Sequence, residues 1–340
     1  VYSDRVKLVF APGLEVEFTD RDRGIRQVYE LAEMGTRFPL VVYGPEGCGK
    51  SAWLRQVAEI LKNLGFDVIY VDLAHREYIA YTDIREVASR ITEVLADVTG
   101  IAPIKLADLV VLLANQLLKK WRKKRIALLV DEVFHAIGLD RAEIYVKMLL
   151  NLIEYPPAEY EKIVAIVTTS EGASRAKIGR HSWAWLMSMW NMSKRGFMEL
   201  YEKIPGSKLS SEDAWRLTSG NPRALSQLYR SEWSIDIVVN EVITSRSLHT
   251  LIRSLSEYEK QWLFEATEDP DTLLQRERIQ LLSKLVELNM ITSEIAHRDP
   301  ELWIDTPPPE RDLALGIGKH VAWQTPLHRE AVKRVLELHN

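Results

Sequence analysis

Residues 40–54 read LVVYGPEGCGKSAWL. Four apolar residues, Leu40 to Tyr43, run into Gly44, Pro45, Glu46, Gly47, Cys48, Gly49, Lys50 and Ser51; Ala52, Trp53 and Leu54 then open a helical pattern. A short apolar run ended by glycine reads as a buried strand. The eight residues after it match G-x-x-x-x-G-K-[ST] at every fixed position. Glycines let backbone N–H groups turn inward around phosphate oxygens, where a side chain would obstruct. The helix N-terminus adds the positive end of its dipole. Lys50 is expected to reach the β- and γ-phosphates, and Ser51 to give its hydroxyl to Mg²⁺. Gly44 through Ala52 are therefore the expected nucleotide-binding residues, with ATP or ADP and Mg²⁺ as cofactors. A glycine-rich turn without function would fit the same letters, but this one sits between strand and helix, as the mechanism requires.

Outward from this loop, three more apolar runs read as strands: FDVIYVDL (66–73), IALLVDE (126–132) and IVAIVTTS (163–170). Helical spacing separates them, through Ile84, Val87, Ile91 and Leu95, then Leu106, Val110, Leu113 and Leu117, and again over about 141–154. Continuous apolar strands alternating with amphipathic helices predict a parallel sheet covered on both faces. After about residue 178 the strand-like runs give out. A helix over 181–203 is expected to carry Trp183, Trp185 and Trp190, and Ser210 with Asp213 to cap a further helix. Residues 223–243 read as helical. Ser256 with Glu259 opens another helix, and 273–288 forms the next, closed by Asn289. Two short strands near 301–305 and 320–324 and a helix over 326–338 complete a winged-helix layout. The expected fold is α/β: a P-loop NTPase core over 1–178, a helical lid over 179–245 and a winged-helix-like domain over 246–340.

The end of IALLVDE carries Asp131 and Glu132. A carboxylate there would hold Mg²⁺ opposite Ser51, and a second beside it would polarise the attacking water. Asp131 is thus the expected metal residue with Ser51, and Glu132 the expected catalytic base with Lys50. Thr168, Thr169 and Ser170 end the next strand; a hydroxyl there either meets the γ-phosphate or simply ends a β-branched strand. Arg175 and Arg180 are either a guanidinium for the transferring phosphoryl group or surface charges. The run KKWRKKR, 119–125, grips a nucleic-acid backbone or ends a helix, and its position just before a core strand favours the helix end. The eight histidines show no metal-ligand spacing, and Cys48 is the one cysteine, at a variable position of the loop.

GPEGCGKS, LLVDE, VTTS and SGNPRAL, in this order, resemble the archaeal ATPase family related to the signal-transducing (STAND) branch of AAA+ proteins. The lead-in FTDRDRGIRQV, 18–28, is similar to that family's segment against the adenine, with Arg21 at its arginine. Gly220, Asn221 and Pro222 resemble its Gly-x-Pro lid motif, whose proline packs near the base, and Arg223 falls where a second sensor is expected. Asp22 and Arg23 stand where relatives have an acid, and Ser170 where many have Arg. The resemblance implies an ATP-hydrolysing switch that couples nucleotide state to a protein partner or to self-association. A DNA-associated ATPase similar to archaeal origin-recognition proteins is the alternative, and a non-hydrolysing nucleotide-dependent scaffold a third.

Composition bounds these readings. The 340 residues are 46% hydrophobic and 27% charged, with a net charge of −4, not the field of a strong nucleic-acid binder. Acids outnumber Lys and Arg after Arg246, so DNA is not the favoured partner. No apolar run reaches the ~20 residues that span a bilayer, so no membrane role is expected. A lone cysteine and the lack of a visible signal peptide suggest a cytoplasmic protein.

Overall fold

The computed structural model describes residues 5–97, 102–170, 177–293, 295 and 298–339. Along the chain, β1 (Lys7–Ala11) and β2 (Leu14–Glu17) form an antiparallel hairpin, followed by α1 (Asp22–Met34), β3 (Leu40–Tyr43) and α2 (Lys50–Asn63). Next come β4 (Asp67–Asp72), β5 (Glu77–Tyr81), α3 (Arg85–Leu95), α4 (Ala102–Lys119) and β6 (Arg125–Asp131). α5 (Val133–Ile137), α6 (Leu139–Glu154), β7 (Lys162–Thr169) and β8 (Trp185–Met189) follow. The remainder is mostly helical: α7 (Lys194–Glu202), α8 (Ser211–Thr218), α9 (Pro222–Arg230), α10 (Ile235–Ser245), α11 (Leu248–Ser254), α12 (Glu257–Glu268) and α13 (Ile279–Glu287). Short strands β9 (Ile291–Thr292), β10 (Trp303–Ile304) and β11 (Ala322–Trp323) precede α14 (Pro326–His339). No helix among the described residues is long and apolar enough to cross a membrane.

The chain forms two compact units. The first holds Arg21–Tyr43 and Lys50–Met189 and is an α/β fold. Its strands run in the order β8-β3-β7-β6-β4-β5, all parallel except β5, which returns antiparallel along β4. The inner strands are apolar along their length because helices cover both faces: Val41, Ile69, Leu128 and Ala165 are buried with Val110, Leu113 and Leu149. β7 lies between β3 and β6. Register pairs Val42 with Thr168, and Val130 with Val167, so the C-terminal ends of all three strands meet at one edge. In α/β sheets of this kind that edge is where ligands bind.

One sequence expectation fails here, and three strands carry no signal in the sequence. Residues 181–203 are not one helix: Trp185–Met189 is strand β8, with Leu40 in register with Trp185, and only Lys194–Glu202 is helical. The tryptophans mimic a helical face, but β3 would otherwise leave one row of backbone groups without a ladder. The hairpin β1–β2 and strand β5 have no strong apolar signal, since their burial is partial.

The second unit comprises Lys7–Asp20, Gly44–Gly49 and the chain from Trp190 onward. Phe197, Leu228, Val239, Leu263, Leu285 and Val335 centre its core. The expected helix over 223–243 is two helices, broken where Glu232 and Trp233 take left-handed φ values of 54° and 69°. Ser234 then caps α10 through the Ile237 amide. The Ser256–Glu259 capping box forms as expected, and Asn289 takes the left-handed conformation, φ 51°. The antiparallel pair after it is β9 with β11, not the two expected strands with each other. Asp271 fixes the turn before β11 by accepting from the amides of Lys319, His320 and Val321 at 2.6 to 2.9 Å.

Candidate nucleotide site

In the first unit the site begins at the end of β6. Asp131 is fully buried. Its Oδ1 accepts a short hydrogen bond from Thr168 Oγ1, and its Oδ2 accepts from the Tyr70 hydroxyl at 3.3 Å. The Ser51 hydroxyl, on the first turn of α2, bonds to the same carboxylate. Burial pushes the Asp131 carboxyl up, the Thr168 and Ser51 bonds oppose this, and the charges of Glu132 and Asp72 push it further up. Glu132 itself takes a left-handed backbone, φ 49°, as β6 turns into α5. Its amide donates to Thr168 Oγ1 at 3.2 Å. Its carboxylate accepts from the Ser170 amide at 3.2 Å and from the Ser170 hydroxyl at 2.9 Å. A non-glycine residue held at positive φ is a backbone cost that surrounding structure must over-determine. Here the bonds to Thr168 in β7 and to Ser170 just after it do that.

This donor set fits Mg²⁺. It offers a hydroxyl and a buried carboxylate, both hard oxygens, where three acids leave an excess of negative charge. Mg²⁺ takes only one or two protein carboxylates and completes its shell with water and phosphate.

In the second unit the phosphate-loop residues Gly44–Gly49 pack within their own domain. Gly47 and Gly49 have φ values of +76° and +104°, open to glycine and strained for other residues. Glu46 is held on every side. Its carboxylate meets Arg246 Nη2 at 2.5 Å and Arg223 Nη1 at 3.2 Å. Its amide donates to Gln324 Oε1 at 2.9 Å, and its carbonyl accepts from Asn221 Nδ2 at 2.8 Å. The Arg223 amide donates to the Gly47 carbonyl at 3.3 Å. Burial would raise the Glu46 carboxyl, but the Arg246 and Arg223 charges win and hold it below the ordinary range. His328, in the first turn of α14, stands near this group. Burial, then the Arg246 charge, lowers its pKa to about 4, with Glu46 opposing. Thr325 Oγ1 lies 2.9 Å from its Nδ1.

The segment that reaches Glu46 is built for a tight approach. Ser219 and Gly220 take consecutive positive φ values, 50° and 77°. Asn221 caps α9 by accepting from the Ala224 amide at 3.0 Å, with Pro222 at the first helical position. That leaves the Asn221 amide nitrogen to face Glu46 and Asn191.

Of the residues named from sequence, Asp131, Glu132, Ser51 and Thr168 come together in the first unit, with Lys50 buried at the start of α2 and Ala52 two residues on. Thr168 is bonded to Asp131 and Glu132. Arg21 is buried and left-handed just before α1. Pro45 and Cys48 are buried, and Gly44 half-buried. Pro222 lies 3.7 Å from where a Cβ on Gly49 would stand. Arg175 falls outside the described residues, and Arg180 is exposed. Sequence reasoning missed Tyr70, Arg246, Gln324 and His328. Only Tyr70, a lone hydroxyl within DVIYVD, left a trace in the pattern.

The basic run 119–125 is largely spoken for inside the first unit. Lys120 pairs with Glu86 at 2.8 Å, Lys123 with Asp83 at 2.5 Å and Asp67 at 3.2 Å, and Arg125 lies 4.5 Å over the Phe66 ring. In the second unit Arg278 pairs with Glu265 at 2.6 Å and Lys284 with Glu259 at 3.6 Å. Arg298 spends its guanidinium on carbonyls, those of Ile295, Pro309, Glu310, Gly318 and Lys319.

Solved structures similar at low identity include the following two. DnaA from Aquifex aeolicus bound to AMPPCP is 12% identical with a TM-score of 0.38, over 79% of this chain and 82% of that one. The RuvB Holliday junction branch migration motor of Thermotoga maritima is 12% identical with a TM-score of 0.35, over 77% and 78%. No curated protein matches the chain. The family model of an ATPase domain predominantly from Archaea matches residues 18–228, a stretch that begins at the lead-in with Arg21 and takes in the phosphate loop, the acid pair and Gly220 to Arg223. The match covers more than half of the chain, and the protein belongs to that archaeal ATPase family.

Proposed function

We propose that the chain is an ATP-binding and hydrolysing switch whose nucleotide state governs a partner interaction. The observation that carries this reading is the hold on Glu46. A residue inside the phosphate loop is bonded to the motif at Asn221 and Arg223, to Arg246 after α10, and to Gln324 before α14. A loop that reshapes around phosphates would pull on all three at once. Loss of γ-phosphate contacts is a common way to release such a segment.

In this reading Gly44–Ala52 wrap the phosphates, and Lys50 meets the β- and γ-oxygens. Ser51 and Asp131 would hold Mg²⁺, which supplies charge neutralisation on the phosphates. Glu132 takes the proton of the attacking water, for which its carboxylate must leave Ser170. Turnover is accordingly slow until Glu132 is released. The residues 246–340 serve as a protein-contact or self-association module. Arg278 and Lys284 are ion-paired within the domain, while Ile279 at the start of α13 is exposed, which favours a protein partner over a duplex.

The test is hydrogen exchange on the full chain with Mg-ADP and with a non-hydrolysable Mg-ATP analogue, beside titration calorimetry. Protection in α9 and the first turn of α14 should differ between the two nucleotides. Lys50→Ala should lower ATP affinity by about tenfold or more, roughly 1.4 kcal/mol. Identical protection in both states would end the switch reading, and unchanged affinity would remove Lys50 from the site.

A further inference from the structure

Tyr70 is fully buried in β4, between Ile69 and Val71, where phenylalanine would pack as well. A hydroxyl in such a place costs stability unless it is bonded. This one has two partners. It accepts from Arg55 Nε at 3.3 Å and donates to Asp131 Oδ2 at 3.3 Å. A guanidinium has no acceptor, so the first bond runs from Arg55 to the hydroxyl, and the second runs from the hydroxyl to the carboxylate oxygen. Arg55 therefore fills a lone pair of the hydroxyl and turns its proton toward Asp131. Arg55 is itself anchored by a short ion pair to Glu77 on the edge strand β5.

Thr168 takes the other oxygen of Asp131. The two donors come from β4 and β7, the strands on either side of β6. The carboxylate is thus gripped from both flanks, with the Ser51 hydroxyl also on it. We propose that Tyr70 is a positioning residue for the metal-holding carboxylate of Asp131, and that Arg55 and Glu77 aim its hydroxyl. The role rests on the nucleotide reading above and concerns Mg²⁺, not the nucleotide alone. It also gives β5 a purpose: the antiparallel edge strand carries the outermost anchor of the site.

The test uses the full chain loaded with ADP. Mn²⁺ is titrated in place of Mg²⁺ and followed by electron paramagnetic resonance, and ADP affinity is measured separately in EDTA. Tyr70→Phe should weaken Mn²⁺ by about tenfold, the scale of a lost outer-shell partner, and leave ADP affinity in EDTA unchanged. Arg55→Lys keeps the charge near Glu77 but loses the planar N–H fork, so it should weaken Mn²⁺ in the same sense by a smaller factor. Mn²⁺ affinity within about twofold of the wild type in Tyr70→Phe overturns the role. Should Tyr70→Phe fold poorly, Arg55→Lys decides alone, and an unchanged Mn²⁺ affinity there overturns the role as well. A wild type that binds no ADP, with or without metal, defeats the nucleotide reading and this role with it.

Discussion

The Cβ of Arg223 lies 2.3 Å from the point where a Cβ on Gly47 would stand, and Asn221 Oδ1 lies 2.9 Å from the same point. Residue 47 has no room for a side chain, and its φ of +76° would strain one in any case. Gly47→Ala should therefore cost about 3 kcal/mol, from the left-handed backbone and the overlap together. Calorimetric melting should fall by roughly 5–10 °C. An unchanged midpoint would mean that α9 does not press on the phosphate loop.

Glu132→Gln keeps the side chain's size and a hydrogen-bonding end but loses the base. ATP should still bind, and steady-state hydrolysis should drop by about 10²-fold or more. Loss of binding would reassign Glu132 to the metal or to the fold. Ser170→Ala removes the hydroxyl that holds the Glu132 carboxylate at 2.9 Å. It should leave turnover intact or raise it, and a fall of about tenfold would make Ser170 a participant in the chemistry.

His328 makes stability depend on pH. Its folded pKa of about 4 lies below the ordinary value near 6.5, so its contribution is complete above about pH 6.5 and is lost as pH falls toward 4. Glu46, also lowered, acts in the same direction below about pH 4.5. His328→Gln retains a partner for Thr325 without a titrating ring. Its melting temperature should fall less steeply than the wild type between about pH 6.5 and 4.5. Parallel curves for the two proteins would show that His328 is not held neutral beside Arg246.

The phosphate loop was legible because its chemistry is local. Eight consecutive residues carry the glycines, lysine and serine, and the flanking periodicity places them between strand and helix. Asp131 and Glu132 were legible for the same reason, at the end of an unbroken apolar strand. The Ser256–Glu259 box and the turn at Asn289 are likewise written within a few residues. β8 was not, because a strand at Trp185–Met189 is demanded by the empty flank of β3, some 145 residues earlier in the chain.

The contacts around the loop in one unit, and around the acid pair in the other, are long-range. Glu46 meets Arg246 across 200 residues and Gln324 across 278, and Tyr70 reaches Asp131 across 61. Periodicity and spacing report which face of an element is buried. They do not report which distant side chain will stand opposite it. The sequence by itself thus determined an α/β core of the ATPase family, with its glycine-rich loop and the acid pair after β6. Only the tertiary structure decided what holds those acids and what holds the loop, because strand order and helix packing choose partners that no local pattern encodes.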